Sequence, residues 1–139
     1  MKINRSKLYA FTASLLSVLF LSTSVMATTL KVDDKKNNKI VLKARAAVDD
    51  ASPDDWRTLA ESADKMFQRK LNLKEAASWI DRSLEIKETA YNLEVKGDYY
   101  VINNLPERAL EYYVKSIALG REDASFNTSR VQDKIMKIK

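Results

Sequence analysis

The chain has neither cysteine nor histidine among its 139 residues. Without cysteine it can form no disulfide, thiolate nucleophile or thiolate metal site, and without histidine it has no Ser-His pair and no imidazole ligand. The composition therefore predicts no metal site, no cofactor and no enzyme, and leaves carboxylate-only chemistry as the remaining catalytic route. Acid pairs such as Asp49/Asp50 and Glu122/Asp123 are interpreted as helix edges and solvated turns.

Glycine and proline are almost as scarce, with two of each. Pro53, with Ser52 before it as N-cap, predicts one helix start, and Pro106 predicts another. Gly120 is expected to end a helix as the residue after its last turn. Gly97 instead falls inside a predicted helix, where glycine costs about 1 kcal/mol relative to alanine. A glycine at that point indicates the close approach of a neighbouring helix.

The N-terminus has the three-part layout of a secretory signal. Three basic residues precede an apolar stretch that is densest at 15–21, and the small residue Ala27 follows it. This layout predicts a signal peptide over 1–27 and cleavage between Ala27 and Thr28. The alternative is an uncleaved membrane anchor, since residues 8–27 are nominally long enough to span a bilayer.

Most of the net charge comes from that signal. Removing its three basic residues from the total of 24 leaves 21 against 19 acidic residues, a net charge of +2 instead of +5. The remaining charges are interleaved and form no basic block. Nucleic-acid binding is therefore not expected.

The region after the signal begins without strong structure. Residues 28–39 are polar and predict a disordered leader. Residues 40–50 are rich in alanine, which favours a short helix, while their β-branched start leaves a strand open.

Beyond residue 52 the apolar residues recur at helical spacing. The pattern predicts a first helix through Trp56 and Phe67, and a second that opens at Asn72 with a start resembling a capping box. A third carries the stretch 90–101, a fourth begins at Pro106, and a last helix covers about 128–139.

The second and fourth of these helices are similar in sequence. Residues 79–86 are echoed by 112–119, and Ala76 is echoed by Ala109 at the same offset. Self-similarity at a period of about 33 residues is typical of stacked helical hairpins, because a single hairpin cannot bury its own apolar face.

Large and small residues alternate in these hairpins in a particular order. In the first helices they are Trp56, Leu59, Ala63 and Met66, then Leu93, Gly97 and Tyr100; in the second helices they are Ala76, Ile80 and Ser83, then Ala109, Tyr113 and Ser116. This pattern resembles the tetratricopeptide repeat over roughly residues 56–121. The resemblance implies an all-α fold of antiparallel helical hairpins, stacked as a short solenoid over 40–139. Two repeats leave two open ends, which we expect helix 40–50 and a C-terminal capping helix to cover.

The resemblance also implies a binding surface, because first helices of successive repeats line a concave groove in this family. The face mapped on this chain comprises Arg57, Ala60, Asp64, Phe67 and Gln68 from the first repeat and Tyr91, Glu94, Asp98, Val101 and Ile102 from the second. Its three carboxylates predict a preference for neutral or basic segments over free carboxylate tails.

These observations predict a non-catalytic protein-interaction module of the bacterial envelope, periplasmic or secreted. Its partner is expected to be a protein or peptide, with no stable membrane insertion after cleavage. Two alternatives remain open: a self-assembling structural component that forms a homo-oligomer, and an enzyme that uses carboxylates alone.

Overall fold

The computed structural model describes residues 33–138, which form six helices and no strand. The helices are α1 (33–49), α2 (Trp56–Arg69), α3 (Leu73–Ile86), α4 (Ala90–Ile102), α5 (Pro106–Gly120) and α6 (Thr128–Met136). The predicted all-α fold class is confirmed. The predicted signal peptide and residues 28–32 of the predicted leader lie outside the described residues.

α1 resolves the choice between helix and strand for residues 40–50 in favour of the helix. It also includes residues 33–39, where the sequence predicts a disordered leader. From Ile40 onward α1 belongs to one packed unit, in which it buries Ala44 and half-buries Ile40, Val41 and Val48. Once packing fixes these turns, each further helical residue adds a hydrogen bond without the cost of a new nucleus. A polar segment can therefore continue a helix that it would not start.

The two hairpins are α2 with α3 and α4 with α5, and α4 also packs against both helices of the first hairpin. Two buried serines show the repeat in hydrogen bonds. Ser83 Oγ donates to the carbonyl of Trp56, and Ser116 Oγ donates to the carbonyl of Ala90, each at 2.7 Å. In both hairpins the second helix is thus tied to the first residue of its partner helix.

The turns inside the hairpins also repeat. The amide of Leu71 donates to the carbonyl of Met66, and the amide of Leu105 donates to that of Tyr100, both at 2.9 Å. After these bonds the first hairpin has one additional residue, Asn72, which takes a left-handed backbone with φ of 42°. Equivalent residues of α3 and α5 are therefore separated along the chain by one position fewer than equivalent residues of α2 and α4. Asn72 does precede α3, but its side chain donates to Glu75 and makes no capping bond to the backbone.

The predicted start of α2 is three residues early. Ser52 and Pro53 form a turn, and the N-cap is Asp55, whose carboxylate accepts from the amide of Thr58 at 3.0 Å. A carboxylate that reaches the third helical amide satisfies one of the free N–H groups at a helix start. The local cap at Asp55 therefore decides where the helix begins.

Both glycines lie where a neighbouring aromatic ring leaves no room for a Cβ atom. A Cβ on Gly97 would lie 2.4 Å from Cε1 of Tyr113, so the predicted close approach is confirmed. Gly120 differs from its prediction: it is the last residue of α5 and has no positive φ. A Cβ there would lie 2.3 Å from the ring of Phe126, so this glycine lets the following loop fold back onto α5.

α6 ends the described chain and packs on α5. It starts at the predicted place, where Asn127 accepts from the amide of Arg130, and it ends at Met136. Val131 is fully buried with Tyr100, Ala109 and Tyr113 in a second core, next to the larger core to which α1, α2, α3 and α4 contribute.

Candidate functional site

A cleft of about 470 Å³ lies between α2, α4 and α6. α2 contributes Asp64, Phe67 and Gln68 to its lining, and α6 contributes Arg130 and Lys134. α4 forms its floor with the following residues: Tyr91, Glu94, Val95, Asp98, Val101 and Ile102. The lining therefore combines apolar side chains with charged groups of both signs.

Eight of the ten residues predicted for the concave face line this one cleft. The two exceptions are Ala60 and Arg57. Ala60 is fully buried in the core because its position on α2 faces the neighbouring helices. Arg57 lies in the first turn of α2, over the ring of Trp56 at 5.0 Å, and lines a different pocket with Lys87 and Phe126.

The two carboxylates of α4, Glu94 and Asp98, form ion pairs with cations of α6. Arg130 donates to both oxygens of Glu94, through Nε at 2.9 Å and through Nη2, and Lys134 Nζ lies 2.7 Å from Glu94 Oε1. Lys134 also donates to Asp98 at 2.6 Å. The side chain of Glu94 is only 3% exposed, so this pairing accounts for a carboxylate that would otherwise be buried without a counter-charge.

Asp98 has a further neutral partner in Tyr113, whose hydroxyl donates to Oδ1 at 2.6 Å. Burial raises the pKa of Asp98, while Lys134 and the Tyr113 hydroxyl oppose that shift. Burial and the neighbouring Asp98 carboxylate raise the pKa of Tyr113, so its phenol stays protonated and keeps donating. Asp98 is thus a structural carboxylate that joins α4, α5 and α6.

Asp64 on α2 occupies the repeat position that Asp98 occupies on α4. Its partners are neutral: Gln68 Nε2 donates to it at 2.9 Å and the Tyr91 hydroxyl at 3.2 Å. Burial is the main reason that the pKa of Tyr91 is raised, and the charge of Asp64 adds to it. Among the described residues no lysine or arginine forms an ion pair with Asp64, which makes it the acid of the cleft most open to an incoming cation.

Arg130 and Lys134 are functional candidates that the sequence analysis did not assign. A signal was present in their spacing, because both the acid pair 94/98 and the basic pair 130/134 are four residues apart. Residues four apart share a helix face, so two such pairs of opposite charge match each other across adjacent helices.

The cleft is lined by both polar and apolar groups. Its polar groups are carboxylates, a phenol, an amide and two cations, and its apolar lining includes Val101, which is 47% exposed. Within residues 33–138 no group of acidic side chains is placed to hold a metal ion. In that same part of the chain no helix combines the length and the apolar character needed to cross a bilayer.

No protein-family model matches the chain, and neither the curated proteins nor the solved structures include a significant match to it.

Proposed function

We propose that this chain is an exported, non-catalytic interaction module of the tetratricopeptide type, and that its cleft binds a segment of a partner protein. The observation that supports it most is the meeting of eight residues, selected from the repeat pattern alone, in one cleft. The serine-to-carbonyl bonds in both hairpins support the repeat assignment, because the pattern's small residue has the same role twice.

The lining favours a particular class of segment. Phe67, Val101 and Ile102 offer apolar surface, and Asp64 offers a carboxylate held by neutral donors. An extended or helical peptide with apolar side chains and a lysine or arginine complements both features. A free C-terminal carboxylate does not, because the two cations that line the cleft, Arg130 and Lys134, are already paired with Glu94 and Asp98.

The test is affinity capture from an envelope extract with the chain that lacks residues 1–27. Asp64→Lys should remove a specifically captured protein, because it places a cation where the ligand's cation belongs. Glu61→Lys is the matched control: it reverses a charge on the same helix, at an exposed position outside the cleft lining. Capture that survives Asp64→Lys, or that is lost equally in both variants, would contradict the proposal. Asp98 is unsuitable for this test because it also pairs with Lys134, so a charge reversal there would disturb the attachment of α6 as well as any binding.

Self-association is the second candidate, and the outer face of α5 favours it. Leu110 and Val114 are 42% and 54% exposed there. The equivalent positions on α3 are the smaller Ala77 and the charged Asp81. Light scattering should show a concentration-dependent mass for this alternative, and Val114→Asp, which introduces the residue of the first hairpin, should abolish it. A constant monomer mass would exclude it.

A further inference from the structure

α6 contributes to the core of the second hairpin as α4 contributes to the core of the first. Val95 of α4 is buried in the core of the first hairpin, and Val131 of α6 is buried in the core of the second. At the same offset, Glu94 and Asp98 correspond to Arg130 and Lys134, the residues that pair with them. The two helices thus bring opposite charges together at matching positions.

The attachment of α6 is nevertheless small. The helix has nine residues, and Val131 is its one fully buried side chain within the described range. Arg130 stays 50% exposed while it pairs with Glu94. The connection from α5 runs through 121–127, where five consecutive residues are exposed. Few buried contacts and an exposed connection are the features of an element that opens at low free-energy cost.

Resting on the function proposed above, we infer that the partner's binding segment is an amphipathic helix that displaces α6. This helix has the same sequence pattern as α6: a cation followed by an aliphatic residue, and the same pair again four residues later. In this chain the pattern is Arg130-Val131 and Lys134-Ile135. The vacated surface requires it: Glu94 and Asp98 need two cations at that spacing, and the patch of Tyr100, Ala109 and Tyr113 needs an apolar side chain between them.

Displacement sets a condition on the ligand. α6 is tethered, so its high effective concentration gives it an advantage over a free peptide of the same sequence. A natural ligand therefore needs a helix longer than that of α6, with contacts beyond it. A short peptide should bind weakly to the unaltered chain and much more tightly once the attachment of α6 is weakened.

The probe is a fluorescent peptide with the sequence of residues 127–138, added to the chain that lacks residues 1–27. The double variant Arg130→Gln with Lys134→Gln should bind this peptide at least about tenfold more tightly than the unaltered chain does. A control peptide with glutamine in place of its two cations should show no binding to either. Equal affinity for both chains, or equal binding of the control peptide, would overturn the inference.

Hydrogen exchange on the unaltered chain keeps the test valid if the double variant unfolds. Excess peptide should speed exchange of the α6 amides at 131–136 and leave those of α4 unchanged; no change in α6 would overturn the inference. If capture depends on Asp64 while α6 is not displaced, the proposed function stands and this inference fails. A dimer that forms by exchange of α6 would identify a second copy as the occupant, and would also overturn the assignment to a separate partner.

Discussion

The two hairpins of this protein share a framework and differ in what they attach to it. In each, a side-chain cap accepts from the third amide of the first helix, a leucine amide closes the turn, and a serine bonds the opposite helix. These contacts fix how two helices meet. They say little about the surfaces that the helices present.

One difference between the two hairpins is an exchange of side-chain volume between their helices. The first hairpin has Ala63 and Ile80 at the positions where the second has Gly97 and Tyr113, and the latter two are in contact. The larger ring is accommodated by the loss of a methyl group, and it brings a hydroxyl to Asp98. The second hairpin thus gains a polar connection toward α6 that the first hairpin lacks.

The charges differ as well. Ala60 in the first hairpin becomes Glu94 in the second, so the second carries an acid pair and holds a basic helix over it, while the first carries Asp64 alone. On one side of the cleft the carboxylates are therefore paired with cations, and on the other side the carboxylate of Asp64 has neutral partners.

Substitution of Gly97 tests the exchange of volume between the two helices. We expect Gly97→Ala to lower the free energy of unfolding by about 1–3 kcal/mol, because the new methyl overlaps the buried ring of Tyr113. Urea unfolding followed by circular dichroism measures this. Adding Tyr113→Ile recreates the pair of the first hairpin, and the double variant should be more stable than the sum of the single changes predicts. Simple additivity would mean that the two residues are not coupled in this way.

A buried lysine of α4 forms an ion pair with the first hairpin, and this pair provides the next test. Lys96, whose side chain is 7% exposed, pairs with Asp81 and lies over the ring of Tyr99 at 4.6 Å. Asp81→Asn should cost about 1–2 kcal/mol, since it leaves a buried cation without its counter-charge, and the half-exposed acid keeps the loss below that of a fully buried pair. Adding Lys96→Met should restore most of the loss in thermal unfolding. A double variant as unstable as Asp81→Asn would contradict this explanation.

The two serines test the shared framework. Ser83→Ala and Ser116→Ala should each reduce stability by about 1 kcal/mol, the usual net worth of a hydrogen bond. Ser83 also accepts from the side chain of Asn92 at 3.1 Å, so its loss should be equal or larger. Chemical denaturation of both variants provides the measurement; a loss at only one site would argue against equivalent hairpins.

The smallest expected effect concerns the exposed tie between α1 and the first hairpin. Arg45 Nε and Nη2 donate to Glu75, each at 2.8 Å, and hydrogen bonding by Arg45 lowers the pKa of Glu75 from its ordinary value. A lowered folded-state pKa means that this stabilisation is present above the unfolded value and is lost as the pH falls through the folded one. Glu75→Gln should therefore be slightly less stable than the unaltered chain at neutral pH, and the difference should disappear in acid. A difference that is constant with pH would contradict the ion-pair explanation.

The sequence predicts the fold well where the spacing of residues within a single helix is sufficient evidence. Helical spacing located α3 and α5, and Gly97 inside a periodic segment predicted the contact that Tyr113 makes. Prediction failed where a competing local contact decides the outcome, as at Asp55, whose cap overrides Ser52, and at Gly120, where Phe126 requires the space.

Most of the cleft lining was accessible from the repeat pattern, because positions on one helix face follow from spacing. The share contributed by Arg130 and Lys134 was not, since it depends on how α6 lies against α4. Ala60 was misplaced for the same reason: packing between helices, and not periodicity along one helix, sets which side of α2 faces the cleft. Arg57 differs, because it lies in the first turn of α2, beside a different pocket.

The most direct test of the central claim is photo-crosslinking in the cell envelope, with a photoreactive phenylalanine analogue in place of either Val101 or Val114. Both positions are about half exposed, one inside the cleft and one on the outer face of α5. A binding cleft predicts a discrete adduct with another protein from position 101 and none from position 114. Adducts between two copies of this chain from position 114, with none from position 101, would contradict the account and identify the chain as a self-assembling component.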